Sequence, residues 1–387
     1  MRLEDLCTVF TDGDWIESKD QSEEGIRLVQ TGNIGEGIYL EKESRAKYIS
    51  EETFKRMKCT EIFPGDILVS RLPDPVGRAC IVPEKKERMV TAVDCTICRP
   101  NKSLISKEYL CYFMRSNAYY TRLMGNVKGA TRKRISRKNL GNIELDVPSK
   151  EEQLRVVKQL DCLTKVINSR RKEIELLDDL IKARFVEMFG DPISNDKGWN
   201  TDPLAAVCSR IYGGGTPSKS HPEYFEGSIP WVSPKDMKSD VITDSIDHIT
   251  EEAIANSTTN LVPEGSVLMV IRSGILKHDL PVSINAVPVT INQDMKAFVP
   301  GENITASFLR NYFKAIELDV LAGVRGVTAD NIDFKAFQQR KIIVPPIHLQ
   351  EEFEDFCRQV DKLKATVQKS LDETQVLFDS LMQKYFG

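Results

Sequence analysis

The chain has 387 residues, and its 53 Lys and Arg against 57 Asp and Glu give a net charge of −4. This excludes a coating mode of nucleic-acid binding driven by bulk positive charge, though a local basic patch remains open. The length predicts two or three domains, and 41% hydrophobic residues are enough to fill their cores. Nine cysteines at irregular spacing point away from a disulfide framework and toward a reducing cytoplasm. The opening MRLEDLCTVFTDGDW has acids where a secretory leader is apolar, and no apolar run is long enough for a bilayer, so no membrane role is expected.

In chain order, Gly25-Ile26-Arg27-Leu28-Val29 leads into Asn33-Ile34. The β-branched run Ile67 to Val69 follows Pro64-Gly65-Asp66 as a strand, and a helical patch covers 103–124. Residues 128–139, KGATRKRISRKN, hold six basic residues and no acid. Ser149-x-x-Glu152 reads as a capping box that opens a long helix, and Gly190-Asp191-Pro192 as its stop. Then come the stretch GGGTPSKSHPEYFEGSIPWVSPKDM at 213–237, a strand at Val267 to Ile271, a helical patch at 305–320, a strand at Lys341 to Val344 and a second long helix.

The second half repeats the first. Val147-Pro148 to Phe189-Gly190 recurs as Val344-Pro345 to Phe386-Gly387, an offset of 197 residues at both ends, with Gln153 matching Gln350. A heptad seam runs Val156, Leu160, Leu163, Ile167, Arg170, Ile174, Leu177, Ile181, Arg184, Met188. Its repeat runs Phe353, Cys357, Val360, Lys364, Val367, Leu371, Thr374, Phe378, Leu381, Tyr385. Neither helix is apolar all round, so each seam's simplest partner is the other. The preceding segments repeat more loosely: Ser228 to Val232 with Asp236-Met237 parallels Gly25 to Val29 with Asn33-Ile34, and Asp294 before Pro300 parallels Asp94 before Pro100. The expected architecture is α+β: two pseudo-symmetric heads at 1–148 and 191–346, with helices at 149–190 and 347–387 pairing as an antiparallel coiled coil. A pseudo-two-fold axis would set the heads at opposite ends of a rod, as a caliper for a long periodic ligand such as DNA.

Catalytic motifs are wanting. Gly213 to Gly215 run into Thr-Pro-Ser without the Gly-Lys pair of a phosphate loop. The glycines are expected instead to permit a tight, φ-permissive approach, with Pro217 and Pro230 stiffening it and Trp231 packing in a core. The four histidines lack ligand or triad spacing, and Cys95 and Cys98 read as small hydrophobes of a strand. Asp66 with Glu84-Lys85-Lys86 is the faint outline of a nuclease. Lys128-Gly129-Ala130-Thr131 and Arg325-Gly326-Val327-Thr328, again 197 apart, repeat as base-Gly-x-Thr and suit phosphate contact. The candidate DNA-binding residues are Gln30, Thr31, Asn33, Lys128, Gly129, Thr131, Arg132, Lys133, Arg134 and Arg137 in the first half. In the second they are Ser218, Lys219, Ser233, Lys235, Arg325, Gly326 and Thr328. Asn and Gln suit adenine, Lys and Arg guanine. Two other readings stay open on these residues: an adaptor whose two heads bind protein, and a nuclease on a coiled-coil stalk.

The whole chain resembles the specificity subunit of type I restriction–modification systems. The resemblance is carried by DGDW at 12–15, GIRLVQTGNIGEG at 25–37, the stretch at 213–237, and the helices after VPSKEEQ and VPPIHLQ. It implies that each head is a target recognition domain, reading one half of a split, asymmetric site on double-stranded DNA. It also implies docking of two methyltransferase subunits, and of restriction subunits in the full assembly. The chain itself would be no enzyme and hold no cofactor, since S-adenosylmethionine belongs to the methyltransferase partner and ATP to the restriction partner. If the helices act as a ruler, inserting four residues into both should separate the heads by at most about 6 Å. Methylation mapping should then show a gap longer by roughly one or two base pairs between unchanged half-sites; an unchanged gap would contradict the ruler.

Overall fold

The computed structural model describes residues 1–129, 133–324 and 331–387. It divides into two units, Met1–Arg171 with Lys369–Gly387, and Lys172–Gln368. Each unit contains one head and parts of both long helices, Lys150–Phe189 and Ile347–Phe386.

In the first unit an antiparallel sheet has the order Cys7–Asp12, Cys95–Pro100, Ile67–Ser70, Ala79–Ile81. A second sheet places Ile26–Val29 between Tyr48–Ile49, antiparallel, and Met89–Thr91, parallel, with Glu61–Ile62 at its edge. The second unit repeats this order. Cys208–Gly213, Met295–Pro300, Val267–Val270 and Val282–Asn285 form the antiparallel run, and Ile229–Val232 sits between His248–Ile249 and Thr290–Ile291. Even an irregularity recurs, since the register slips between Cys7 and Val9 and again between Cys208 and Arg210. The central strands Ile67–Ser70 and Val267–Val270 are buried at every residue, which is why their sequences run continuously apolar instead of alternating. One difference is an added strand, Val241–Ile242, on the second head's larger sheet.

Each head is fastened to the helices in the same two ways. At the start of the first long helix the buried Gln153 side chain accepts from the Ser106 N–H (2.9 Å) and donates to the Leu104 and Pro148 carbonyls (3.0 Å each). At the start of the second, Gln350 accepts from Thr305 N–H (2.9 Å) and donates to Asn303 (3.0 Å) and Pro345 (2.8 Å). Ser106 and Thr305 are themselves the N-caps of the head helices Lys107–Phe113 and Ala306–Ala315, so each glutamine ties two helix starts together. The second fastening is aromatic. Phe386 packs on Tyr109 with ring centroids 5.1 Å apart, and Phe189, its counterpart 197 residues earlier, packs on Phe308 at 4.9 Å.

The helices run antiparallel within each unit. In the first, Tyr385 hydrogen-bonds Gln159 and lies under the Arg155 guanidinium. In the second, Arg184 pairs with Glu352 at 3.0 Å and Asp178 with Lys364 at 2.6 Å, so one number rises as the other falls. Every seam residue read from the heptads is buried or half-buried. Lys364, at the height of Ile167 in the repeat, is held by Asp178 and by Asp240 of the head (3.3 Å). Burial works to lower its pKa, and the two carboxylates outweigh it and hold the ammonium above its ordinary value. The first helix opens with Ser149 Oγ accepting from Glu152 N–H (3.2 Å) and closes on Gly190 at φ +76°, the left-handed stop anticipated. The Glu152 carboxylate pairs with Arg155.

Replacing Gln153 by Leu leaves one amide and two carbonyls buried without partners, and Gln350→Leu does the same in the other unit. Each should cost about 2–4 kcal/mol in denaturant unfolding; a loss below about 0.5 kcal/mol would show that solvent reaches these groups.

Candidate nucleic-acid interface

In the first head the strand Ile26–Val29 ends in a single tight turn, Thr31–Asn33. Asn33 is buried and builds this turn: its Oδ1 accepts from Gln30 N–H (3.0 Å) and its Nδ2 donates to the Leu40 carbonyl (3.0 Å). Asn33 therefore shapes the loop, whereas Gln30 and Thr31 are half-exposed on it. Sequence reasoning missed the residue that positions them. Arg78 is buried and donates to four carbonyls, Ile34 (2.6 Å), Thr31 (2.9 Å), Pro75 (3.0 Å) and Leu72 (3.1 Å), fixing this loop against its neighbour. A lone arginine after Gly77 carries no sequence signal for that job.

The basic stretch begins as a pinched loop. Lys128 and Arg134 exchange both backbone hydrogen bonds (3.0 and 2.8 Å), and Gly129 takes φ +108°, which suits glycine. Thr131 and Arg132, with Arg325, Gly326 and Thr328 of the second copy, lie outside the described residues. Lys128 and Lys133 are exposed, whereas Arg134 pairs with Asp94 at 2.9 Å. Arg137 reaches Thr11 (3.5 Å) and Asp12 (3.9 Å), and Asp12 also holds Thr96 (3.0 Å) and Arg71 (3.2 Å). Burial pulls the Arg71 guanidinium below its ordinary value against the pull of Asp12, and its Nε has no partner among the described residues. This face is thus basic but largely neutralised by Asp12 and Asp94.

In the second head the glycine run has a packing explanation. A Cβ on Gly214 would stand 1.7 Å from the Asn292 carbonyl oxygen, and one on Gly215 would stand 2.5 Å from Thr258 and Thr259. None of the three glycines has positive φ, so close approach, rather than the expected backbone permissiveness, selects Gly214 and Gly215, while Gly213 faces the end of the Lys296 side chain. Gly13 meets the Thr91 carbonyl similarly in the first head, at 2.3 Å. Trp231 is buried, donates to the Gly215 carbonyl (3.0 Å) and meets Phe225 edge-on at 5.8 Å, a core residue as expected. Ser233 is buried with its N–H and hydroxyl both on Asp236 Oδ2 (2.9 and 2.8 Å), and Lys235 is paired with Asp247 (2.6 Å), which raises its pKa. Ser218 is exposed and shares a hydrogen bond with the Ser220 hydroxyl (2.7 Å), and Lys219 is exposed between them. The side chains that do come together at this sheet end are others: Arg272, Gln293, Lys296 and Lys335 line one cleft. They are scattered over 64 positions of sequence and are brought together by strand pairing, with Lys296 opposite Gly213, and by the helix Phe334–Gln338 that carries Lys335.

The residues with a catalytic outline are tied into structure. Asp66 is buried, accepts from Phe63 N–H (2.9 Å) and takes Arg99 through two oxygens (2.8 Å each), while Lys85 is held by Glu41. Cys95 and Cys98 are wholly buried in one strand, and burial raises both thiols, Cys95 to about 12. Among the described residues no helix is long and apolar enough to cross a membrane.

The family model described as the type I restriction modification DNA specificity domain matches this chain twice, over residues 1–177 and 196–374. The specificity subunit of the Escherichia coli type I restriction enzyme EcoR124I/EcoR124II is 33% identical over 293 residues, covering 71% of this chain and 68% of that one. The MjaIX specificity subunit of Methanocaldococcus jannaschii is 23% identical over 372 residues, covering 90% and 82%. The fold is shared with the crystal structure of the type I restriction–modification S subunit from M. genitalium, at TM-score 0.57 and 14% identity, over 100% of this chain and 95% of that one.

Changing Gly214 to Ala drives a methyl into a backbone carbonyl and should lower stability by more than about 2 kcal/mol. Gly213→Ala meets only the mobile end of Lys296, 3.1 Å away, and should cost under about 1 kcal/mol. Thermal unfolding of the two variants side by side tests this; equal losses would contradict the packing account.

Proposed function

Because the chain belongs to the type I restriction–modification DNA specificity family, we propose that it is the sequence-reading subunit of such a system. Each head reads one half of a bipartite, asymmetric site on double-stranded DNA. The chain directs methyltransferase and restriction subunits to that site, two methyltransferase subunits per chain, and the chemistry with its cofactors belongs to those partners. Its working place is the cytoplasm.

The observation that carries this reading is the double family match laid over two heads of one strand order and one register, whose exposed ends bear different side chains. Two copies of one frame with identical ends would read a repeated sequence. Here Asp12 with its arginines occupies the first frame's end and a lysine-lined cleft the second, so the halves of the site differ. Affinity for the duplex comes from phosphate contacts by the exposed cations Lys128, Lys133 and Lys219, with sequence read at base edges beside them. The first head carries the basic stretch 128–139 and the second has no counterpart to it, so the first half-site contributes more of the salt dependence.

Exchange of residues 1–148 for the corresponding head of another family member should change one half-site and leave the other and the gap intact. Methylation mapping in cells carrying the complete system reads the result. A change in both halves, or in neither, would refute the assignment of one half-site to each head.

A further inference from the structure

The second head's cleft holds about 810 Å³ and is lined by donors. Lys296 projects from the strand opposite Gly213, whose missing side chain leaves room for the ammonium, and it stands 4.7 Å above the Phe334 ring. Neither Lys296 nor Lys335 has a carboxylate within ion-pair distance among the described residues. Arg272 is pinned by one edge, Nε to Asp294 Oδ1 at 2.6 Å, while Asn292 holds the other Asp294 oxygen at 3.1 Å; its outer guanidinium nitrogens are left to the cleft. Gln293 is exposed, and its carbonyl oxygen accepts from the Thr216 hydroxyl, leaving its NH2 as the working end. The Asp333 carboxylate caps the short helix behind, accepting from Ala336 N–H at 3.1 Å. Among the described lining residues the donors outnumber the free side-chain acceptors, which are Asn331 and the second Asp333 oxygen.

A wall of donors fits a base edge made of adjacent acceptors. In the major groove guanine alone offers two, N7 and O6; adenine would set its N6 amino group against the Lys296 and Arg272 donors. We propose that this cleft is the guanine-reading subsite of the second head, with Lys296 and Arg272 donating to O6 and N7 and Gln293 as an auxiliary donor. The inference rests on the DNA-specificity reading above and deepens it. The first head has no such subsite among its described residues: by strand register Thr96 and Asp12 stand where Lys296 and Gly213 stand here.

The test uses the chain assembled with its methyltransferase subunits, mapping methylated sites for the unaltered complex and for Lys296→Met and Lys296→Arg. The expected result is a G·C pair required in the second head's half-site, with preference for it falling roughly 5- to 150-fold in Lys296→Met and kept in Lys296→Arg. The first half-site should be unchanged throughout and serves as the folding control. Independently of any variant, placing 7-deazaguanine at that position should weaken binding of the unaltered complex by about tenfold. A second half-site without a G·C pair overturns the proposal. So does a Lys296→Met complex weakened equally on all sequences, which would mark Lys296 as a phosphate contact. Those results leave the specificity reading standing; an assembled, unaltered complex that methylates without sequence preference removes both.

Discussion

A buried primary amide has four hydrogen-bonding capacities, and Gln153 and Gln350 each use three of them to join three stretches of backbone. One stretch is the cap of a head helix, one is the loop before it, and one is the turn into a long helix. The direction in which each long helix leaves its head therefore follows from a single side chain of fixed shape. A hydrophobic contact at that place would hold the helix but allow it to rotate, because apolar packing has no directional preference. The amide removes that freedom, and its cost if unpaired makes the arrangement close to all-or-none. Phe386 on Tyr109 and Phe189 on Phe308 then act at the far end of the partner helix, so each head is gripped by the beginning of one helix and the end of the other.

The frame and the reading edge of each head are built from different interactions. In the frame, strands buried at every residue meet backbone to backbone, and Gly13 and Gly214 let main chain touch main chain. Such contacts depend little on side-chain identity beyond size. At the edge, charges and amides are held by one or two polar contacts from neighbours: Arg272 by Asp294, Gln293 by Thr216, Arg137 by Asp12. Changing these alters what is presented without disturbing the sheet behind.

The long helices were legible because a seven-residue period repeated over forty positions is hard to mimic, and the offset of 197 supplied an internal control. The strands of the heads were partly legible: the runs at 67–69 and 267–271 stood out, whereas two- and three-residue strands such as Tyr48–Ile49 have no period to detect. Of the candidate interface, the exposure of Lys128, Lys133 and Lys219 was legible, since charge in a loop is its own signal. What Asn33, Ser233 and Lys235 touch was not legible, since polar residues after a strand also serve to close turns, and these three are engaged by Gln30, Asp236 and Asp247. Arg78 and the lysine-lined cleft were beyond reach, because they exist only once distant strands pair.

Lys364 bears on a different matter, the accuracy of assembly. A seam of leucines and valines looks much the same after one helix slides by a heptad, a displacement of about 10 Å. The same slide would carry the Lys364 ammonium away from both Asp178 and Asp240 and leave Asp361 of its own helix as its remaining counter-charge among the described residues. The lysine contributes little to holding the correct pairing together, yet it makes the nearest wrong one expensive. It works as a proofreading mark written into an otherwise repetitive surface.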